Sequence, residues 1–190
     1  MAAARSTASR RLPCALRRAG IGALLTVACA AAPSAWADDT ALLNRGNDPF
    51  LQVSAAVPAC PEPAGPRVSE AEWMRESHHR IEHGNHCWLE GRCRLPNAYQ
   101  YDKDVADSLQ RRLHTLDLQL PAWRRSSLWI TVSARWILVQ GCTAPDFPAA
   151  AFFAALREVA DAERVIDQTT ATPARGVPYP LFHPAAAAPK

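Results

Sequence analysis

Long apolar runs are scarce in this chain of 190 residues. Beyond residue 37 there is only one, LWITVSARWILVQGC at 128–142, and nothing there approaches the roughly 20 apolar residues that a membrane-spanning helix needs. Glycine is also thin. The eight glycines are scattered, so no glycine-rich loop exists to cradle a phosphate, and nucleotide binding is not expected. No serine, cysteine or aspartate sits in a nucleophile elbow. A positive field is missing too. The whole chain holds 21 Lys and Arg against 18 Asp and Glu, but five of those arginines fall in the first 37 residues, which hold no acid. The remainder has 16 basic and 18 acidic residues, a net of −2, which gives little attraction for nucleic acid or anionic lipid.

The first 37 residues have the anatomy of an export signal. Arg5, Arg10, Arg11, Arg17 and Arg18 form a basic start, 19–32 is an apolar core too short to span a bilayer, and Ala35-Trp36-Ala37 is a small-x-small cleavage site. The pattern predicts cleavage after Ala37 and a periplasmic protein. A lipoprotein signal ending at Cys29 competes less well, because Thr26 stands where an aliphatic residue is usual. Cys60, Cys87, Cys93 and Cys142 remain after the leader, an even number that suits disulfides in an oxidising compartment. Four cysteines allow three connectivities. The local pair Cys87–Cys93, closing around Gly91, is favoured, which leaves Cys60–Cys142.

Along the chain, 38–68 has no clear period and reads as a Pro-rich arm, with Pro58, Pro61, Pro63 and Pro66 breaking regular structure. Residues 69–101 read as a helical, Cys-containing extension. Ser69 and Glu72 form a capping box, and a helix over 70–83 is expected to stop at Gly84. A second helix starts at Asp102, taken as its N-cap, and Val105, Leu109, Leu113 and Leu116 make its apolar stripe. The 128–142 run is rich in Val, Ile, Thr and Trp, which favours strand. A turn at Ala134-Arg135 places Val132 opposite Ile137 and Ile130 opposite Val139 on one face. Trp129, Thr131, Ser133, Trp136 and Leu138 fall on the other face. Asp146 is a candidate cap for a third helix with Phe152, Leu156 and Val159 inside, and 164–169 reads as a short strand. Residues 172–190 are Pro- and Ala-rich and are expected to be unordered, apart from a contact by residues 179–182. With both helices on one face of the sheet, residues 69–101 are expected to cover the aromatic side that carries Trp129, Trp136 and Leu138.

The order helix, strand, strand, helix, strand over 102–171, with these apolar positions, resembles the BON domain, the module named for bacterial osmotically inducible and nodulation proteins. The residues that carry the resemblance are Asp102, Val105 and Leu109, Ile130-Thr131-Val132, Ile137-Leu138-Val139-Gln140-Gly141, Leu156 with Val159, and Val165-Ile166-Asp167. The chain departs from the family where a second glycine often precedes the last strand. Here the residues are Asp161-Ala162-Glu163, and Asp tolerates a left-handed turn better than most. The resemblance implies an α+β fold with a three-stranded mixed sheet and two helices on one face. It also implies a non-enzymatic role in the envelope, binding phospholipid or a partner protein, with no cofactor.

Three patterns offer other chemistry. His79-Arg80-Ile81-Glu82-His83 matches H-x-x-E-H, in which two histidines one helical turn apart share zinc and the glutamate acts as base, so a zinc-dependent hydrolase is the alternative reading. His78, His79, His83, His86 and Cys87 form a dense cluster suited to zinc or copper binding without catalysis. Trp123, Arg124, Arg125, Trp129 and Trp136 are the candidate ligand or partner face, although large aromatics more often fill a core.

Overall fold

The computed structural model describes residues 41–183, and the expected leader lies outside them. At its centre is the run of β-branched and aromatic residues. β2 (Ser127–Ser133) and β3 (Trp136–Cys142) pair antiparallel, with Val132 opposite Ile137 and Ile130 opposite Val139. The turn falls on Ala134 and Arg135, both at positive φ (49° and 69°). That backbone matches the right-handed twist of a hairpin, yet neither residue has the Asn or Gly that makes it easy. The support comes from elsewhere. The Asp102 carboxylate accepts the Ala134 N–H at 2.8 Å and the Arg135 N–H at 2.7 Å.

α2 (Asp102–Gln119) and α3 (Ala149–Arg157) cover one face of the ribbon. Val105, Leu109, Leu113, Leu116, Phe152 and Leu156 bury against Leu128, Ile130, Val132, Ile137 and Val139. From α3 the chain returns into β4 (Arg164–Thr170), parallel to β3. Asp161, where the resemblance leads one to look for glycine, has φ 63°. Gly141 is a position only glycine can hold. Its φ is 134°, and a Cβ there would lie 2.0 Å from the Ser127 carbonyl oxygen on the adjacent strand.

The sheet has four strands, not the expected three. β1 (Phe50–Ala55) lies in the Pro-rich arm and pairs antiparallel with β2, giving the order β1-β2-β3-β4, with a bulge between Gln52 and Ser54. It is an edge strand between Pro49 and Pro58, and an edge tolerates the flanking prolines that a central strand would not.

α1 (Glu70–Leu89) is capped by Ser69, whose side chain accepts the Glu72 N–H at 3.2 Å. It does not stop at Gly84. That glycine is buried and leaves room for Asn97, whose carboxamide would stand 3.0 Å from an added Cβ. The helix ends instead before Gly91 (φ 71°), where the N–H groups of Arg92 and Cys93 bond the Cys87 carbonyl and Cys87 is joined to Cys93. Two other capping expectations are corrected. Asp102 is the first helical residue of α2 and spends its carboxylate on the hairpin turn, and Asp146 pairs with Arg125 while α3 begins after Pro148.

The sheet's second face is covered mainly by other means than residues 69–101. α1 reaches only its hairpin end, where the His83 ring lies edge-on to Trp136 at 4.7 Å. Elsewhere the arm crosses over. Cys60 is joined to Cys142, Gly65 sits against the Phe50 ring, and the Arg67 guanidinium lies 5.2 Å from Phe50 and 3.6 Å from Phe182. Residues 172–183, expected to be unordered, run along this arm. Pro63 bridges Leu181, the Ala64 N–H bonds the Pro180 carbonyl at 2.8 Å, and the Tyr179 hydroxyl donates to the Pro61 carbonyl at 2.9 Å. The contact expected at 179–182 is therefore present. Trp129 is buried, whereas Trp136, Leu138 and Ile166 are only partly buried.

Candidate functional site

The polar chemistry of the molecule gathers at the hairpin end, where α1, the 3-10 turn Ala98–Tyr101 and the 44–48 loop meet the β2–β3 turn. Asn44 shapes the loop by donating to the Asp48 carbonyl and accepting the Asp48 N–H, which turns the Asp48 side chain inward. There Asp48 takes two hydrogen bonds from Arg80, at 3.0 and 2.9 Å, and one from the Ser133 hydroxyl at 2.9 Å. The guanidinium is stacked 3.9 Å from the Tyr99 ring centroid and 5.1 Å from that of Trp73. Burial works against the Arg80 charge, but the hydrogen bonds and charge of Asp48 outweigh it and hold its pKa above the ordinary value. Burial also raises the Tyr99 pKa. A cleft of about 250 Å³ opens beside this stack, lined by Trp73, Tyr99, Arg80, Glu72, Glu76 and His79. With both terminal guanidinium nitrogens bonded to Asp48, Arg80 serves as a pillar between loop and helix.

Asp102 lies deeper, beside the same turn. Burial pushes its carboxyl up to about 6, against the pull of the two turn N–H groups. On the other side of α1, His83, His86, Cys87, Trp136 and Glu163 line a cleft of about 210 Å³. Burial lowers the His83 pKa, and a charge on His79 acts the same way, with Glu163 opposing.

The structure sorts the residues that the sequence singled out. His79 and His83 stack with ring centroids 6.0 Å apart, as two histidines one helical turn apart should. The His83 ring is engaged with Trp136, His86 pairs with Glu90 at 3.1 Å, and His78 and Glu82 are exposed. Among the described residues no three His, Cys, Asp or Glu side chains are grouped so as to hold a metal ion. The tryptophan–arginine set is split: Arg124 lies 4.9 Å from the Trp123 ring centroid, and both stand apart from Trp129 and Trp136. Trp123 is in the core under α2 and packs on Phe152, Arg124 pairs with Asp117, and Arg125 pairs with Asp146. Trp129 and Trp136 lie on the opposite face of the sheet, and only Trp136 is partly open. Arg164 lies 5.3 Å from the Trp136 ring centroid, so the open part of that face is a strip of Trp136, Leu138 and Ile166 with a guanidinium at one end.

Asp48, Arg80 and Tyr99 were not legible as a group in the sequence. Nothing in the sequence marks Asp48 out from the other acids of its arm, Asp38, Asp39 and Glu62, and its partner Arg80 is 32 residues away. No helix among the described residues is long and apolar enough to cross a membrane. Comparison with protein-family models, with curated proteins and with solved structures finds no significant match to this chain.

Proposed function

We propose that this chain is an exported, non-catalytic binding protein of BON type that holds a phospholipid or a partner protein in the cell envelope. The observation that carries this reading is the order α2-β2-β3-α3-β4 with both helices on one face of the sheet. The two disulfides fit export to an oxidising compartment. The binding element is the strip on the opposite face, where Trp136, Leu138 and Ile166 are only partly buried beside Arg164. An apolar strip bordered by a guanidinium suits the boundary between acyl chains and phosphate headgroups. The neighbouring edge strand β4 also offers unpaired backbone groups to an extended peptide.

A photo-reactive side chain placed at position 138 in the exported protein tests this in intact cells. Adducts to phospholipid, or to a discrete envelope protein, are expected, and Arg164→Glu should reduce them several-fold. A position 138 that gives no adduct, while a control side chain in the buried core cross-links within the chain, overturns the reading.

A further inference from the structure

α1 is apolar on two sides, and the fold uses only one. Trp73, Gly84 and Cys87 turn toward the body of the molecule. On the outer side Met74, Ile81 and Trp88 are 61%, 62% and 47% exposed. They recur every seven residues, and Ala71, His78 and Asn85 fall between them, so the stripe reads 71, 74, 78, 81, 85, 88 with alternating steps of three and four. That is the spacing of a coiled-coil seam, with Met74, Ile81 and Trp88 at one core position and Ala71, His78 and Asn85 at the other. Scattered single apolar side chains on a surface need no explanation, but an ordered stripe along a 20-residue helix does.

From this stripe we infer that α1 is a homodimerisation element, packing antiparallel against α1 of a second copy. Charge and volume select that occupant. Laid antiparallel with position 78 beside 81, the stripe sets the small Ala71 opposite the large Trp88, His78 opposite Ile81, and Met74 opposite Asn85. The same register brings Arg75 of each copy to Glu82 of the other, twice by the two-fold axis. Within its own chain Glu82 is exposed with no ionic partner among the described residues, and Arg75 reaches only Glu72 and Glu76 on its own helix, at 3.8 and 3.6 Å. A parallel pairing would instead set Trp88 against Trp88 and leave Arg75 and Glu82 uncrossed. The polar Asn85 and His78 keep the seam shallow, so the dimer forms reversibly at micromolar concentration, with Asn85 fixing the register.

The protein purified after export, followed by sedimentation velocity from 1 to 100 µM, tests this. A concentration-dependent dimer is expected. Ile81→Glu should raise its dissociation constant at least tenfold with melting unchanged, since position 81 is exposed in the monomer. Arg75→Glu and Glu82→Arg should each weaken it several-fold, and the double exchange should restore it. His78→Cys with Ile81→Cys should cross-link between copies, while Met74→Cys alone should not, because an antiparallel seam keeps the two copies of residue 74 about 16 Å apart at 1.5 Å per residue. A monomer at 100 µM overturns the inference. So does a dimer indifferent to Ile81→Glu, or a stripe that partitions onto phospholipid vesicles and leaves the protein monomeric.

Discussion

Asp102 gives the fold an unusual dependence on pH. Its carboxyl titrates at about 6 in the folded protein against an ordinary value of 3.8. In the unfolded chain it is ionised above about pH 4, whereas in the folded chain it keeps its proton until about pH 6. Between these values the folded state binds more protons, so stability from this group falls as pH rises through the window and stays low above it. A shift of roughly two units at about 1.4 kcal/mol each makes the loss about 3 kcal/mol. Most carboxylates act with the opposite sign, so the quantity to measure is a difference. Asp102→Asn has no charge to desolvate, although its amide nitrogen leaves one of the two turn N–H groups without an acceptor, at a cost of about 1–3 kcal/mol. Urea unfolding of wild type and variant from pH 3.5 to 7.5 should show the wild type ahead at low pH. Its lead should shrink by about 3 kcal/mol by pH 7. A difference that stays flat, or grows as pH rises, would refute the reasoning. The carboxyl carbon of Asp102 should titrate near pH 6 by NMR, and a midpoint in the ordinary carboxylate range would refute it independently.

Other expectations follow from neighbouring features. Gly141→Ala should lose about 3 kcal/mol or more in chemical denaturation, because its Cβ meets backbone that cannot turn aside. Arg80→Met leaves Asp48 buried beside Ser133 without its cation, so unfolding at pH 7 should show a loss of about 3 kcal/mol, and a loss under about 1 kcal/mol would contradict the pillar role. Chain-entropy arithmetic gives about 4.5 kcal/mol for the bond spanning 82 positions and about 2 kcal/mol for the one spanning six. Paired Cys→Ser changes should rank in that order by melting, and equal losses would contradict it. The His83 ring should titrate below 6.5 by NMR. Trp136→Ala, which opens its cover, should move the midpoint upward.

The central hairpin could be read from the sequence because its pattern is local. Alternating β-branched residues set the register, and the turn at Ala134-Arg135 followed from it. What escaped was decided by distant residues. FLQVSA becomes a strand only when β2 offers an edge. Gly84 looks like a stop signal until Asn97, far along the loop, is known to fill the space beside it. Asp102 has the chemistry of a cap, and only the folded hairpin shows that two N–H groups across the core claim it first. The candidate site was the least legible part. Trp123 and Trp129 carry the same signal as a binding aromatic, yet burial separates them from Trp136, and the Asp48–Arg80–Tyr99 stack assembles from three segments with no common motif.

The bond between Cys60 and Cys142 divides the molecule mechanically. Its covalent ring contains α1, α2 and β2 and ends at the last residue of β3, while β1, α3 and β4 lie outside. Tension between the two ends of the described chain runs along the arm to Cys60, crosses the sulfurs to Cys142, and leaves through α3 and β4. The segment between the two cysteines, a sequence separation of 82, cannot lengthen. Stretching peels away the edge strands β1 and β4 and leaves the β2–β3 ribbon inside the ring. Reduction of that one bond releases the hidden length, so the extension at which the protein yields depends on the thiol chemistry of its surroundings.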